Sequence, residues 1–220
     1  MSFFGGNGIT GYNCEQVNAL RDVINNTAAQ AGQGIVDRLH SDIIVPMAKA
    51  WYAPEAVTFF EGLGETVKAS GTNITQAFDL FRAAVEEAGR NWAENTGGQA
   101  PSLAAIDNVE MILNISDIQP ENGGTVGIDE NEATSIAARL EQVEQGIKAN
   151  NLEAESAFLG NNQAQSIEQC FVSISGEIHK IFRYLTEGED SLQGQINAAV
   201  KKYQEVSGGI AGAFNKESGN

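Results

Sequence analysis

The sequence predicts an all-α fold: two tandem antiparallel hairpins of long helices, packed together as a four-helix bundle. Three observations predict it. Over most of the chain apolar residues recur at steps of three and four, which is the stripe of an amphipathic helix and not the alternation of a strand. The strongest punctuation, Asn95-Thr96-Gly97-Gly98-Gln99-Ala100-Pro101, falls between two such stretches. The two halves also repeat one another. Sliding the chain along itself until Trp51 meets Phe158 brings Phe60 onto Ile167, Val67 onto Ile174, Ile74 onto Ile181, Phe78 onto Leu185 and Val85 onto Leu192. One position further, Ala28, Ile35 and Leu39 fall on Ile136, Val143 and Ile147. Heptad-like patterns self-match, so the weight rests on the shared order of helix, aromatic-containing turn and long helix.

Residues 1–11 hold four glycines and no periodicity, and are expected to be a flexible lead-in. The first hairpin spans 12–96. Its first helix carries Val17, Leu20, Ile24, Ala28, Ala31, Ile35 and Leu39 on one stripe, up to Pro46, which ends or kinks it. Ala53-Pro54-Glu55 restarts the helix, because proline is pre-set for the first turn and Glu55 complements the helix dipole there. The restarted helix carries Phe60, Leu63, Val67, Ile74, Phe78, Phe81, Val85, Ala88 and Trp92. Its apolar phase survives Gly71, so one helix of roughly 60 Å is expected, at 1.5 Å per residue.

Residues 97–127 form a connector, in which the period of Val109–Ile115 fits a short helix and a strand equally. The second hairpin spans 128–208. Asp129 caps its first helix, with Glu130 and Glu132 in the first turn and Ile128 placed for a hydrophobic staple. Ile136, Leu140, Val143 and Ile147 carry that helix to about Ala157. Phe158-Leu159-Gly160-Asn161-Asn162 is a turn by composition. One last helix then carries Ile167, Cys170, Ile174, Ile178, Ile181, Leu185, Leu192, Ile196, Ala199 and Tyr203, until Gly208-Gly209 ends it and leaves 209–220 as a flexible tail. A long helix with one apolar stripe cannot stand alone in water, so each pair folds back as a hairpin and needs a further layer.

Composition bounds the function. The 220 residues carry 13 Lys and Arg against 29 Asp and Glu, a net charge of −16, and the densest basic cluster is Lys201-Lys202. Such a chain is repelled by phosphate backbones and anionic bilayers, so neither nucleic acid nor stable membrane insertion is expected. No apolar run approaches the roughly 20 residues that cross a bilayer. Met1-Ser2-Phe3-Phe4 has neither the basic start nor the apolar run of a Sec signal peptide. Two Cys and two His give no zinc cage or disulfide framework, and Cys14 and Cys170 are expected to be reduced, small buried hydrophobes.

No catalytic constellation emerges. His40 and His179 lie on helices with no acidic or thiol partner at a suggestive spacing. Gly5-Gly6-Asn7-Gly8 lacks the strand and Lys of a phosphate loop, and Glu187-Gly188-Glu189-Asp190 misses calcium-loop spacing and is expected to be a solvated helix interruption. Glu86-Glu87 is expected on an exposed face. No cofactor and no metal are expected, and the chain is not expected to be an enzyme.

The turn between the first two helices reads Trp51-Tyr52-Ala53-Pro54-Glu55-Ala56, followed by Phe59 and Phe60. A helical hairpin with a Trp and a small residue two positions later at its apex resembles the WXG family of small secreted helical hairpins, the substrates of type VII (ESX-like) secretion in Gram-positive bacteria and mycobacteria. The resemblance covers most of the chain as two tandem units. Trp51-Tyr52-Ala53 keeps the Trp and replaces the Gly, whereas Phe158-Leu159-Gly160 keeps the Gly and replaces the Trp. None of Tyr12, Tyr52, Tyr184 or Tyr203 is followed four residues later by Asp or Glu, the family's common export signal.

The resemblance implies a noncatalytic protein secreted without a Sec signal peptide, as a type VII substrate or as the escort of a larger effector. Its partners would be a helical protein, a second copy of itself, or the secretion ATPase. Trp51, Ala53, Pro54, Phe158 and Gly160 would form the turns that a partner or the export machinery recognises. The packing stripes would be Phe60, Val67, Ile74, Phe78 and Val85 in the first unit and Ile167, Ile174, Ile181, Leu185 and Leu192 in the second. The residue pattern alone also fits a self-assembling structural or virion-associated helical protein.

Overall fold

The computed structural model describes residues 13–159 and 165–217, and it is mostly helical. In chain order the elements are α1 (Cys14–Leu39), a π-helical turn (His40–Ile44), α2 (Val45–Ala50), β1 (Trp51–Tyr52), α3 (Pro54–Thr96), β2 (Gly127–Ile128), α4 (Glu130–Ala137), α5 (Leu140–Leu159), α6 (Gln165–Thr186) and α7 (Leu192–Glu217). They gather into two compact units. Among the described residues the first comprises 13–37, 67–112, 144–159 and 165–180, and the second 38–66, 113–143 and 181–217. Each unit therefore takes segments from both of the sequence repeats.

In the first unit the predicted stripes are buried: Ile24, Ala28 and Ile35 on α1, Val67, Ile74 and Phe78 on α3, Ile147 on α5, and Ile167, Ile174 and Ile178 on α6. Each fully buried aliphatic or aromatic side chain contributes about 1.5–3 kcal/mol. Phe78 meets Phe171 edge-on at 5.9 Å. The stripe of α3 thins toward its end, where Val85 is half-buried and Ala88 exposed. As expected, α3 runs unbroken through Gly71.

Val109–Ile115 takes neither of the two forms that its period suggested. Residues 101–112 have no regular secondary structure and bury Leu103, Ile106, Val109 and Met111. Their backbone is satisfied by helix side chains in place of a ladder. Val109 N donates to Thr75 Oγ1 (2.8 Å), Ile106 N to Asp79 Oδ1 (3.2 Å) and Asp107 N to Asn25 Oδ1 (2.7 Å), while Arg82 donates to Leu103 O (2.7 Å) and Arg21 to Ala105 O (2.9 Å). Gly71 makes this approach possible, since a Cβ there would lie 2.6 Å from Val109 O.

In the second unit the helical chain does not end at Pro46; it changes register there and continues as α2 to Ala50. The chain shifts to π register just before the proline, and Val45 N donates to His40 O. A proline has no N–H for the carbonyl four residues back and its ring crowds that carbonyl, so a wider turn relieves both problems. Asp129 caps α4 by accepting from Glu132 N (3.1 Å), as predicted. Ile128, expected as a staple, pairs in β2 with Trp51.

Three helix boundaries differ from expectation. The helix predicted from Asp129 to about Ala157 breaks at Ala138–Arg139, where Arg139 N donates to Ile136 O and tightens the last turn of α4. The last helix is two helices, α6 and α7, separated at 187–191, where Gly188 takes φ +91°. This interruption is the exposed acidic stretch expected from the sequence. Finally, α7 continues through Gly208-Gly209 to Glu217, so most of the predicted flexible tail is helical. The predicted lead-in 1–11 lies outside the described residues.

Candidate functional site

Trp51 lies where α2 gives way to α3. Its backbone is extended (φ −141°, ψ 109°), and β1 pairs antiparallel with β2, Trp51 opposite Ile128 and Tyr52 opposite Gly127. Asp129 N donates to Ala50 O at 2.7 Å and extends the pairing. Two short strands thus clamp the turn to the chain entering α4. Ala53 O then accepts from both Ala56 N (3.1 Å) and Val57 N (3.3 Å), and Pro54 opens α3 without an N–H to leave unpaired.

Burial sorts the turn into a hidden and an exposed part. Trp51 and Ala53 are both 0% exposed, whereas Tyr52 is half-buried and Pro54 exposed. The indole Nε1 of Trp51 is buried with no hydrogen-bond partner. Behind the turn Phe59 meets Phe60 edge-on at 5.1 Å and Tyr184 at 5.3 Å, and Tyr184 donates its hydroxyl proton to Phe59 O (3.1 Å). Tyr184 fits because residue 62 is glycine: a Cβ there would lie 2.2 Å from the phenolic oxygen. Burial, followed by the nearby Asp190 charge, pushes the Tyr184 phenol up. Lys202 on α7 binds Glu55, and that hydrogen bond is the main reason the Glu55 carboxyl lies below the usual carboxylate range.

The second predicted turn is described only in part. Phe158, in the first unit, is half-buried and stacks edge-on against Phe81 at 5.3 Å. Gly160 lies outside the described residues.

The polar side chains hold structure together, and several have partners that sequence spacing did not show. His40 Nε2 lies 3.6 Å from Asp117 Oδ2, and His179 Nδ1 lies 3.0 Å from Glu144 Oε1. Neither histidine is therefore without an acidic neighbour, as had been expected; partners separated by tens of residues leave no trace in local spacing. Glu86 is not on an exposed face either: it bonds Arg82 (2.7 Å) and Arg90 (3.3 Å). Asp79 closes the same network on Arg82 at 2.7 Å, and chiefly that bond pulls its carboxyl down. Both cysteines are free thiols; Cys170 is buried, which pushes its thiol up to about 12, and Cys14 is half-buried. Among the described residues no three His, Cys, Asp or Glu gather as metal ligands, and no helix is long and apolar enough to cross a membrane.

Comparison with protein-family models, with curated proteins and with solved structures gives no match for this chain.

Proposed function

We propose that the chain is a noncatalytic WXG-like helical protein handled by type VII secretion, as a secreted substrate or as the escort of a larger effector. Its two hairpins pack as a four-helix bundle, and its work is adhesion: apolar helix faces dock against a helical partner or a second copy, and the resulting bundle presents the export signal.

The observation that carries the reading is the turn itself. A Trp with no exposed surface, followed two residues later by a buried small residue, stands at the head of a 43-residue helix. In such a turn the indole closes the end of an apolar seam, and the small residue lets the chain enter the next helix without a clash. Burial of stripe residues from α1, α3, α5 and α6 in one unit supports the bundle.

The test is release from cells. In a strain that carries this gene, deleting the type VII ATPase should keep the chain inside the cell while a Sec-exported control is released normally. Undiminished release of the chain overturns the proposal.

A further inference from the structure

The chain holds six arginines among an excess of acids, and five have a carboxylate oxygen at 3.3 Å or nearer: Arg21 with Asp107, Arg38 with Asp42, Arg82 with Asp79, Arg90 with Glu86 and Arg183 with Glu187. Arg139 alone has no carboxylate among the described residues. Its Nε donates to Ser135 O (3.3 Å), which leaves both terminal nitrogens free. In a chain of net charge −16 an unpaired guanidinium is the exception, and its position is informative.

Arg139 lines a recess of about 270 Å³ in the second unit, together with Arg38, Ser41, Asp42, Pro46 and Gln142. One wall is the π-helical turn ahead of Pro46, and the other is the break between α4 and α5. π-Helical turns recur at functional sites because the widened backbone re-aims side chains. Asp42 is already engaged on both oxygens, Oδ2 with Arg38 Nε (3.2 Å) and Oδ1 with the Ser41 hydroxyl (3.1 Å). Arg38 thereby uses only its Nε and keeps its terminal nitrogens. Arg38 and Arg139 thus both line the recess with terminal nitrogens that no carboxylate of the described residues engages, and Gln142 lines it beside them.

We propose that this recess binds a carboxylate, held by the terminal nitrogens of Arg139 and Arg38. Two guanidinium groups against one carboxylate leave a single positive charge, which matches a monoanion and not a dianionic phosphate. The flat two-oxygen carboxylate also fits the guanidinium fork. Neither argument depends on the secretion reading. The carboxylate is either that of a partner's acidic side chain or that of a free small molecule.

The test follows the arginine Nε–H signals of the full chain by NMR at constant ionic strength. The probes are acetate, a capped peptide with a single Glu, and inorganic phosphate. Acetate should move the Arg139 and Arg38 signals to saturation. Arg139→Gln should weaken the binding at least tenfold without changing the melting temperature of the unliganded protein. Arg139→Lys, which keeps the charge and loses the fork, should also bind more weakly. Peptide binding at least as tight as acetate assigns a partner's acidic side chain, and saturation by acetate alone assigns a free carboxylate; both support the proposal. Unsaturated drift, equal shifts in Arg139→Gln, or phosphate binding as tightly as acetate overturns it.

Discussion

Replacing Trp51 by Ala should cost about 3–5 kcal/mol of stability, the range for removing a large aromatic side chain from a core that cannot collapse around the hole. The upper part of that range applies because Trp51 is wholly buried and its backbone is held by the Ile128 pairing and the Asp129–Ala50 hydrogen bond, so the cavity walls cannot move in. No hydrogen bond is lost, since the indole nitrogen has no partner. That makes Trp51→Phe the informative control. It removes volume, but it also removes an unpaired buried donor, which costs about 1–3 kcal/mol in the wild-type protein. Trp51→Phe should therefore fall well short of Trp51→Ala, at about 2 kcal/mol or less. Urea unfolding followed by far-UV circular dichroism reads both. For a chain of this size the Ala variant should melt about 6–20 °C lower, at about 2–4 °C per kcal/mol. A cost below about 1 kcal/mol for Trp51→Ala would refute the claim that this side chain closes the core.

Three further outcomes follow from the contacts. Gly62→Ala should destabilise by about 1–3 kcal/mol, because the new methyl displaces the Tyr184 hydroxyl, whereas Gly64→Ala, with nothing within 4 Å, should stabilise by up to about 1 kcal/mol through helix propensity; in a Tyr184→Phe background the Gly62→Ala cost should shrink, as a double-mutant cycle on thermal melts would show. Asp79 is held below its ordinary value by Arg82, so it binds protons more weakly folded than unfolded. Its contribution is present above the unfolded value and is lost as pH falls through about 4 and below, and Arg82→Gln should flatten that acid limb in a pH series of urea midpoints. The Cys170 thiol, pushed up to about 12 and buried, should resist alkylation at pH 8 in the folded protein while Cys14 is labelled, as peptide mass spectrometry would read; equal labelling would contradict the burial.

Legibility in the sequence followed the range of the forces involved. Helices were readable wherever a stripe repeated for several turns: the phase from Phe60 to Phe81 predicted that α3 passes Gly71 unbroken, and Asp129 announced its cap because capping is a local rule. The irregular run at 101–112 was not readable. Its backbone partners are Thr75, Asp79, Asn25 and Arg82 on helices far away in sequence, and no local period encodes such partners. The breaks at Ala138–Arg139 and 187–191 keep the apolar phase across them, so periodicity alone joined what the backbone separates. At the candidate turn, Trp51, Ala53 and Pro54 were legible as punctuation, but the clamp to Gly127-Ile128 was not, because two-residue strands carry no alternation to detect. The recess at Arg38 and Arg139 was equally hidden, since it joins two segments that have no shared motif.

With Trp51 and Ala53 wholly buried, direct recognition of this turn by an export apparatus has to act through Pro54 and Tyr52, the parts that reach solvent. Pro54→Ser keeps a residue suited to a helix start, so its melting temperature should stay within about 3 °C of wild type, a change of about 1 kcal/mol or less. The most direct measurement is the ratio of extracellular to intracellular chain for wild type, Pro54→Ser and wild type in an ATPase-deleted strain, all in one experiment. The account predicts release by wild type alone, with Pro54→Ser folded and retained several-fold; equal release from all three would contradict it.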